Sequence, residues 1–279
     1  MRNDIALRAP DLHQILLAGA RAAGVDAYAL YNQPQDWGGR AHPLSQLAGW
    51  PSPSFLHSAR LPSSSEQFMA RLSGDARKRM RWRMRKLEQC GRVSFLHASK
   101  PEEIHSIITA FREQKKLRLR ELGAAADLDV DLMAAFIADA ALAGEPGVEL
   151  HALLAGNRVA AMYCGLVHDG RYHAMANCYD ATPDVSRTSP GELIMIFLLE
   201  SLCKRGVREF DLGVGEAAYK DKWCERREPL FDTFHGVTPK GKVYALALGM
   251  KQRTKRRIKQ SETLWPLAKK LRAAIRWRA

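Results

Sequence analysis

The sequence predicts a mixed α/β fold of the α+β kind, and three observations predict it. Two long stretches of helical period, 101–122 and 128–142, give way after Gly147 to the two-residue alternation of strands. Turn dipeptides at Gly156-Asn157 and Asp169-Gly170 cut the alternating stretch into three antiparallel strands, 148–154, 158–167 and 171–179. Beyond them the period switches again: a helix over 191–204, a strand over 208–212, a short helix over 216–223 and a strand near 230–234.

Toward the N-terminus the signals are shorter. Residues 12–23 read as a helix, 25–30 as a strand, 34–53 as a loop rich in Pro, Gly and Trp, and 55–60 as a second strand. Ser63-Ser-Ser-Glu66 has the spacing of a capping box, with Glu66 three residues after Ser63. The helix it opens is expected to break at Ser73-Gly74 and restart behind Asp75, burying Met80, Met84 and Leu87. Gly91 ends it and 93–97 follows as a strand. The helix over 101–122 packs through Ile104, Ile107, Ile108 and Phe111, and that over 128–142 through Leu132, Phe136, Ile137 and Ala140. Three segments result: a truncated N-terminal subdomain at 1–60, a main domain at 61–240, and a basic amphipathic helical tail at 241–279.

Composition narrows the function classes. With 279 residues and 46% hydrophobic content the chain can bury a core, and disorder is excluded. No apolar run reaches the ~18–20 residues of a membrane span, and the first twenty residues lack a secretory layout, so a cytoplasmic location is expected. Five scattered cysteines without a CxxC pair speak for buried thiols rather than zinc or disulfides. No HxH, HExxH or carboxylate cluster suggests a metal. The net charge of +13 comes entirely from two places. Residues 77–92 hold eight basic side chains and one acid, and 251–278 hold eleven and one.

The chemistry concentrates at 179–223. Ser186-Arg-Thr-Ser-Pro-Gly191 follows a strand and opens an apolar helix, whose first amides and dipole suit a phosphate. Gly191 allows close backbone approach, Pro190 pre-sets the turn, Ser189 precedes it, and Arg187 offers a planar fork to a phosphate oxygen. By itself this loop reads first as a capped helix start beside a solvated arginine. Downstream stand Gly206-Val-Arg-Glu-Phe-Asp-Leu-Gly213 and Gly215-Glu-Ala-Ala-Tyr-Lys-Asp-Lys-Trp223.

This series resembles the cellulose-biosynthesis (CelD/BcsL-type) acetyltransferases, GNAT-fold proteins related to the Fem-type peptidoglycan aminoacyl transferases. Its parts are a tyrosine at a strand end, an SPG helix, an FDLG strand and a YKxxW helix. The basic helix ending in Leu-Glu-x-x-Gly, over 76–95, is similar too. The resemblance covers roughly 55–240 and implies a GNAT-like fold, a central mixed sheet flanked by helices with two strands, 171–179 and 208–212, splaying apart. It further implies an acyl-CoA (acetyl-CoA) co-substrate in that gap, its pyrophosphate on Ser189, Pro190 and Gly191, and no metal. Tyr219 then matches a group that protonates the leaving thiolate, and Lys220 the lysine of the Fem-type FK motif. Asp211 is either a base or the holder of the Gly213-Val-Gly215 turn, and the second role fits an aspartate inside a strand better. Asp180 and His173 are alternative bases. Tyr179, Asp180 and Trp223 are expected beside the acceptor, although Trp223 suits the core better.

The implied activity is acyl transfer from a CoA thioester to a sugar or lipid-linked glycan precursor in polysaccharide biosynthesis. The alternatives are an aminoacyl-tRNA-dependent Fem-type transferase acting on a cell-wall precursor, or a non-catalytic GNAT-like subunit of a polysaccharide synthesis complex. For the basic helix over 77–92, a tRNA or another polyanion competes with a plain solvated face. In the tail, Leu264, Leu267, Leu271 and Ile275 form a stripe among Lys and Arg. That pattern suits peripheral contact with an anionic membrane, docking on the protein's own core, or docking on a membrane glycosyltransferase.

Overall fold

A computed structural model of the chain describes residues 9–37, 40–46, 49–121, 129–144 and 147–268. In chain order the elements are α1 (Ala9–Ala22), β1 (Ala27–Pro34), β2 (Asp36–Trp37), β3 (Arg40–Ala41), β4 (Trp50–Arg60), α2 (Ser65–Arg71), α3 (Gly74–Leu87), β5 (Val93–His97), α4 (Pro101–Glu121), α5 (Val130–Leu142), β6 (Val148–Ala155), β7 (Arg158–His168), β8 (Arg171–Tyr179), α6 (Pro183–Ser186), α7 (Pro190–Lys204), β9 (Glu209–Val214), α8 (Ala218–Trp223), β10 (Arg226–Gly236) and α9 (Pro239–Gln260). They fall into two compact units, Met1–His57 with Val214–Ala279, and Ser58–Gly213. The expected mixed α/β class with a mostly antiparallel sheet flanked by helices is what the chain adopts.

In the Ser58–Gly213 unit the strands run in the order β9-β8-β7-β6-β5. The three-strand meander is antiparallel and β5 adds antiparallel to β6. The β8–β9 pair is parallel. Alternation along the strands sorts their side chains onto two faces. Leu150, Ala152, Met162, Cys164, Ala176 and Cys178 meet Ile104, Ile107, Ile108 and Phe111 of α4, and Val130, Ala134 and Ile137 of α5. On α7, nine residues are buried, from Pro190 to Cys203, and Phe197 stacks on Phe95 with ring centroids 5.9 Å apart. A helix buried nearly all round needs cover on more than one side, and α2 and α3 as well as the sheet supply it.

Three local expectations are corrected. The cap of α2 is Ser64, whose hydroxyl accepts from the Gln67 amide at 3.3 Å; Ser63 instead lies 3.0 Å from the Gln67 side chain. Three successive serines leave the register open, and the buried position of Ser65 settles it. Likewise α3 starts at Gly74, with Ser73 accepting from the Ala76 amide at 3.1 Å, and of Met80, Met84 and Leu87 only Leu87 is fully buried. Finally, Leu132 and Phe136 of α5 face solvent, 68% and 59% exposed. The small residue Ala134 packs inward in their place and brings the helix close to α4.

The second unit pairs β1 antiparallel with β10, and β4 lies next to β10 in the sheet. Residues 34–53, expected as a loop, contain the β2–β3 pair, a 3₁₀ turn (Pro43–Gln46) and the start of β4. Pro51 and Pro53 concealed that strand. Their fixed φ suits extended backbone, and standing two apart they withhold amides from one edge only. Helix α9 packs on β10 and β1.

A buried polar network ties α7 to the meander. Arg205, just beyond α7, holds both oxygens of Glu149 at 2.6 and 2.8 Å, and His151 Nε2 lies 3.0 Å from Glu149 Oε2. Burial alone would raise the Glu149 carboxyl, but the His151 and Arg205 hydrogen bonds outweigh it and bring it to about 2. A carboxyl depressed in the folded state stabilises above its unfolded value, and that contribution disappears as pH falls toward the folded one. Urea titrations in an acid series should therefore lose on the order of 3 kcal/mol between pH 4.5 and 2. Glu149→Gln should be less stable at neutral pH and have a flatter acid limb. An unchanged acid limb in the variant would refute this assignment.

Candidate active site

The ladder between β8 and β9 is short. It comprises Arg171↔Glu209, Tyr172↔Phe210 and His173↔Asp211, after which β8 continues to Tyr179 and β9 to Val214 without further pairing to each other. The side chains at the last pair explain where it stops. Asp211 is buried, and its Oδ1 accepts from the Gly213 amide at 2.6 Å. Its Oδ2 lies 3.1 Å from His173 Nδ1 and 3.2 Å from Arg171, which also reaches Glu209 at 3.3 Å. Gly213 has φ +73, a left-handed conformation that bends β9 out of the ladder. Burial would raise the Asp211 carboxyl, but the His173 hydrogen bond and the Arg171 charge hold it below its ordinary value. The turn-holding role is thus the one the contacts display.

The middle pair of the ladder is fixed by Tyr172. Its ring is fully buried, stacks on Phe210 at 5.7 Å between centroids, and would collide at 2.2 Å with a Cβ on Gly165. A side chain at Gly165 would displace the ring and with it the β8–β9 pair.

Beyond the open end of β8 comes the start of α7. Asp180 is engaged by Arg158 at 2.6 Å and by the Thr182 amide at 2.9 Å, and Arg158 also reaches Asp184 and the Thr182 hydroxyl. These bonds fold the chain through α6 back toward α7. Ser189 adopts a left-handed φ of +53, uncommon for a residue with a Cβ, and its side chain makes no capping bond. A Cβ on Gly191 would meet only Tyr179 Cδ1, at 3.8 Å. Tyr179, Ser189, Pro190 and Gly191 are therefore neighbours, and Arg187 is exposed just before them. Glu192, an acid in the first turn, would oppose an anion there, but Arg83 of α3 holds it at 2.6 Å. These features fit a phosphate seat.

Lys115 of α4 reaches the backbone carbonyl of Asn177, at 3.2 Å, in the part of β8 that has left β9. Burial lowers its ammonium pKa. The apolar spacing by which 101–122 reads as a helix does not single out this residue.

A sequence profile described as an acetyltransferase (GNAT) domain matches residues 74–221, just over half the chain. The chain belongs to this acetyltransferase (GNAT) family. It is accordingly an acyltransferase by fold and family. Similar solved structures include the C-terminal domain of a putative lysylphosphatidylglycerol synthetase from Agrobacterium fabrum (15% identity, TM-score 0.54, 88% of this chain and 76% of that one). L-PGS from Bacillus licheniformis is similar at 12% identity and TM-score 0.54, over 87% and 78% of the chains. FemX is similar at 10% identity and TM-score 0.53, over 85% and 79%. At such identities they show the fold alone. No curated protein sequence matches the chain.

The remaining GNAT site residues expected from sequence, Tyr219, Lys220 and Trp223, sit on α8 in the other compact unit. Tyr219 is 45% exposed, whereas Lys220 is buried and donates to the Val214 carbonyl at 3.1 Å. Trp223 is half-buried beside Lys222, whose ammonium lies 5.2 Å from its ring. A residue the sequence reading missed, His57 of β4, faces two carboxylates at this helix. It is fully buried, with Nε2 3.3 Å from Glu216 and Nδ1 4.0 Å from Asp221. Single histidines on apolar strands usually read as core, and only the fold brings the two carboxylates to it.

Among other candidates, burial pushes the Cys164 and Cys178 thiols up to about 12, which removes them as nucleophiles. His97, Glu149 and His151 offer ligand atoms within 4.8 Å of one another, but Arg205 already occupies both Glu149 oxygens. Of the tail stripe, Leu264 and Leu267 are exposed, while Leu271 and Ile275 lie outside the described residues. No helix among the described residues is long and apolar enough to cross a membrane.

Two substitutions separate holding from chemistry. Asp211→Ala removes a shared partner of Arg171, His173 and the Gly213 amide, and should cost about 2–4 kcal/mol in urea unfolding. Full stability with lost activity would instead make Asp211 a base. His57→Ala should cost about 1–3 kcal/mol by the same assay, through the cavity left by a fully buried ring.

Proposed function

We propose that this protein moves an acetyl or other acyl group from a CoA thioester to a sugar or lipid-linked glycan precursor in polysaccharide biosynthesis. The observation that carries the reading is the β8–β9 ladder, open after three pairs and followed by an uncapped α7 start. A thioester arm can pair with the backbone that β9 leaves, with the pyrophosphate on the α7 amides beside Gly191 and Arg187. The acceptor oxygen or nitrogen attacks the thioester carbon directly. A C–O or C–N bond forms, the C–S bond breaks, and the acceptor's proton leaves as the thiolate is protonated. In this reading Tyr219 supplies the thiolate's proton and Lys220 stabilises the developing oxyanion. The glycan acceptor rests on the resemblance to cellulose-biosynthesis acetyltransferases.

A second reading has comparable support. Likeness to FemX and to lysylphosphatidylglycerol synthetase domains favours an aminoacyl-tRNA donor. The basic face of α3 would then contact RNA, although Arg83 of that helix is already paired with Glu192.

Calorimetry with acetyl-CoA, longer acyl-CoAs, free CoA and lysyl-tRNA distinguishes the two. The first reading expects a CoA thioester to bind, and Gly191→Trp to weaken it by roughly tenfold or more without loss of stability, since little protein surrounds that Cβ. Tyr219→Phe should lower turnover about a hundredfold with affinity nearly unchanged. Binding of lysyl-tRNA alone would install the second reading. Binding of neither would leave a non-catalytic module.

A further inference from the structure

Helix α9 is built with its small residues inward and its large ones outward. Gly241, Ala245 and Gly249 form the buried face. A Cβ on Gly241 would lie 1.7 Å from the Asp26 carbonyl, and one on Gly249 would lie 2.2 Å from the Trp50 ring. The helix is thus pressed onto its own unit through glycine, and its N-terminus is pinned by Asp26, which accepts from Thr238 at 2.7 Å. Lower down, Arg256 donates to the Ser52 carbonyl at 2.5 Å and Lys259 to the Ser54 hydroxyl at 2.7 Å.

The opposite face carries Val243, Leu246 and Met250 at i, i+3 and i+7, exposed by 71%, 56% and 60%. A helix held only by intramolecular packing has no need of three large apolar side chains aimed at solvent on one stripe. Lys242 and Arg253 border the stripe on one side and Lys240 and Lys251 on the other, Arg257 continues it a turn further on, and α9 has no acidic residue anywhere. An apolar stripe between two rows of cations complements a surface with anionic groups above hydrocarbon. A protein groove would match the apolar stripe but would need acids on both flanks as well.

We propose that the outer face of α9 docks on an anionic lipid bilayer, lying in its plane with Val243, Leu246 and Met250 immersed and the flanking cations at the headgroups. The surface lies on the described helix rather than on the segment past 268, and it does not depend on which acyl donor the protein uses.

Co-sedimentation with vesicles of equal parts phosphatidylglycerol and phosphatidylcholine, and with phosphatidylcholine alone, tests it on the full chain. The protein should pellet with the first and stay in solution with the second. Raising salt from about 0.1 to about 0.5 M should release most of it, as screening shortens to a few ångströms. The triple variant Val243→Ser, Leu246→Ser, Met250→Ser should bind on the order of a hundredfold more weakly, from three half-immersed side chains. Its melting temperature should be unchanged, since all three are solvent-facing. Arg253→Glu with Arg257→Glu should lose binding by the charge route alone. The proposal fails if the anionic vesicles capture no protein, or if the triple variant pellets like the parent. It fails too if the parent is a dimer in solution that the triple variant dissociates without any vesicle binding, which would assign the stripe to a second copy.

Discussion

One carboxylate decides how far β8 and β9 run together. Asp211 receives His173, Arg171 and the Gly213 amide, donors from the last ladder pair, the first, and two residues beyond the ladder's end. Two parallel strands would otherwise go on pairing, because each unmade bond leaves a polar group to satisfy elsewhere. Turning Asp211 back onto Gly213 offers β9 a different partner, and the left-handed glycine lets the chain follow. What remains of β8, from Ala174 to Tyr179, leads to the α7 start.

Much of this was legible beforehand. The Gly156-Asn157 and Asp169-Gly170 turns fixed the meander, and β5 and β8 have the bounds their alternation indicated. The strand and helix read over 208–212 and 191–204 appear as β9 and α7, with Tyr179 next to Gly191. Legibility failed where a residue's meaning depends on a distant partner. Nothing near His57 in the chain announces Glu216 and Asp221, over 150 residues away. Lys115 lies off the apolar spacing by which 101–122 reads as a helix, and only the packing of α4 on the sheet turns it toward Asn177. Leu132 and Phe136 misled for a different reason. Hydrophobicity predicts which residues prefer burial, but Ala134 allows closer helix approach, and geometry chose it.

The two basic segments have proved unlike each other. On α3 an arginine serves the site directly, since Arg83 neutralises the one acid at the start of α7. On α9 the cations divide by face. Arg256 and Lys259 are spent on the backbone and side chains of β4, and the outward ones border an apolar stripe. Net charge, the same sign in both places, carried no hint of this difference. It emerges only when each side chain is assigned a direction.

The central claim is that the stretch of β8 beyond His173, together with the start of α7, receives the acyl donor. Hydrogen–deuterium exchange with and without CoA measures this most directly, residue group by residue group. The account predicts slower amide exchange over 174–179 and 189–193 on adding CoA, with 159–167 in the closed meander unchanged. Protection elsewhere with no change in those two stretches, while CoA demonstrably binds, would contradict it.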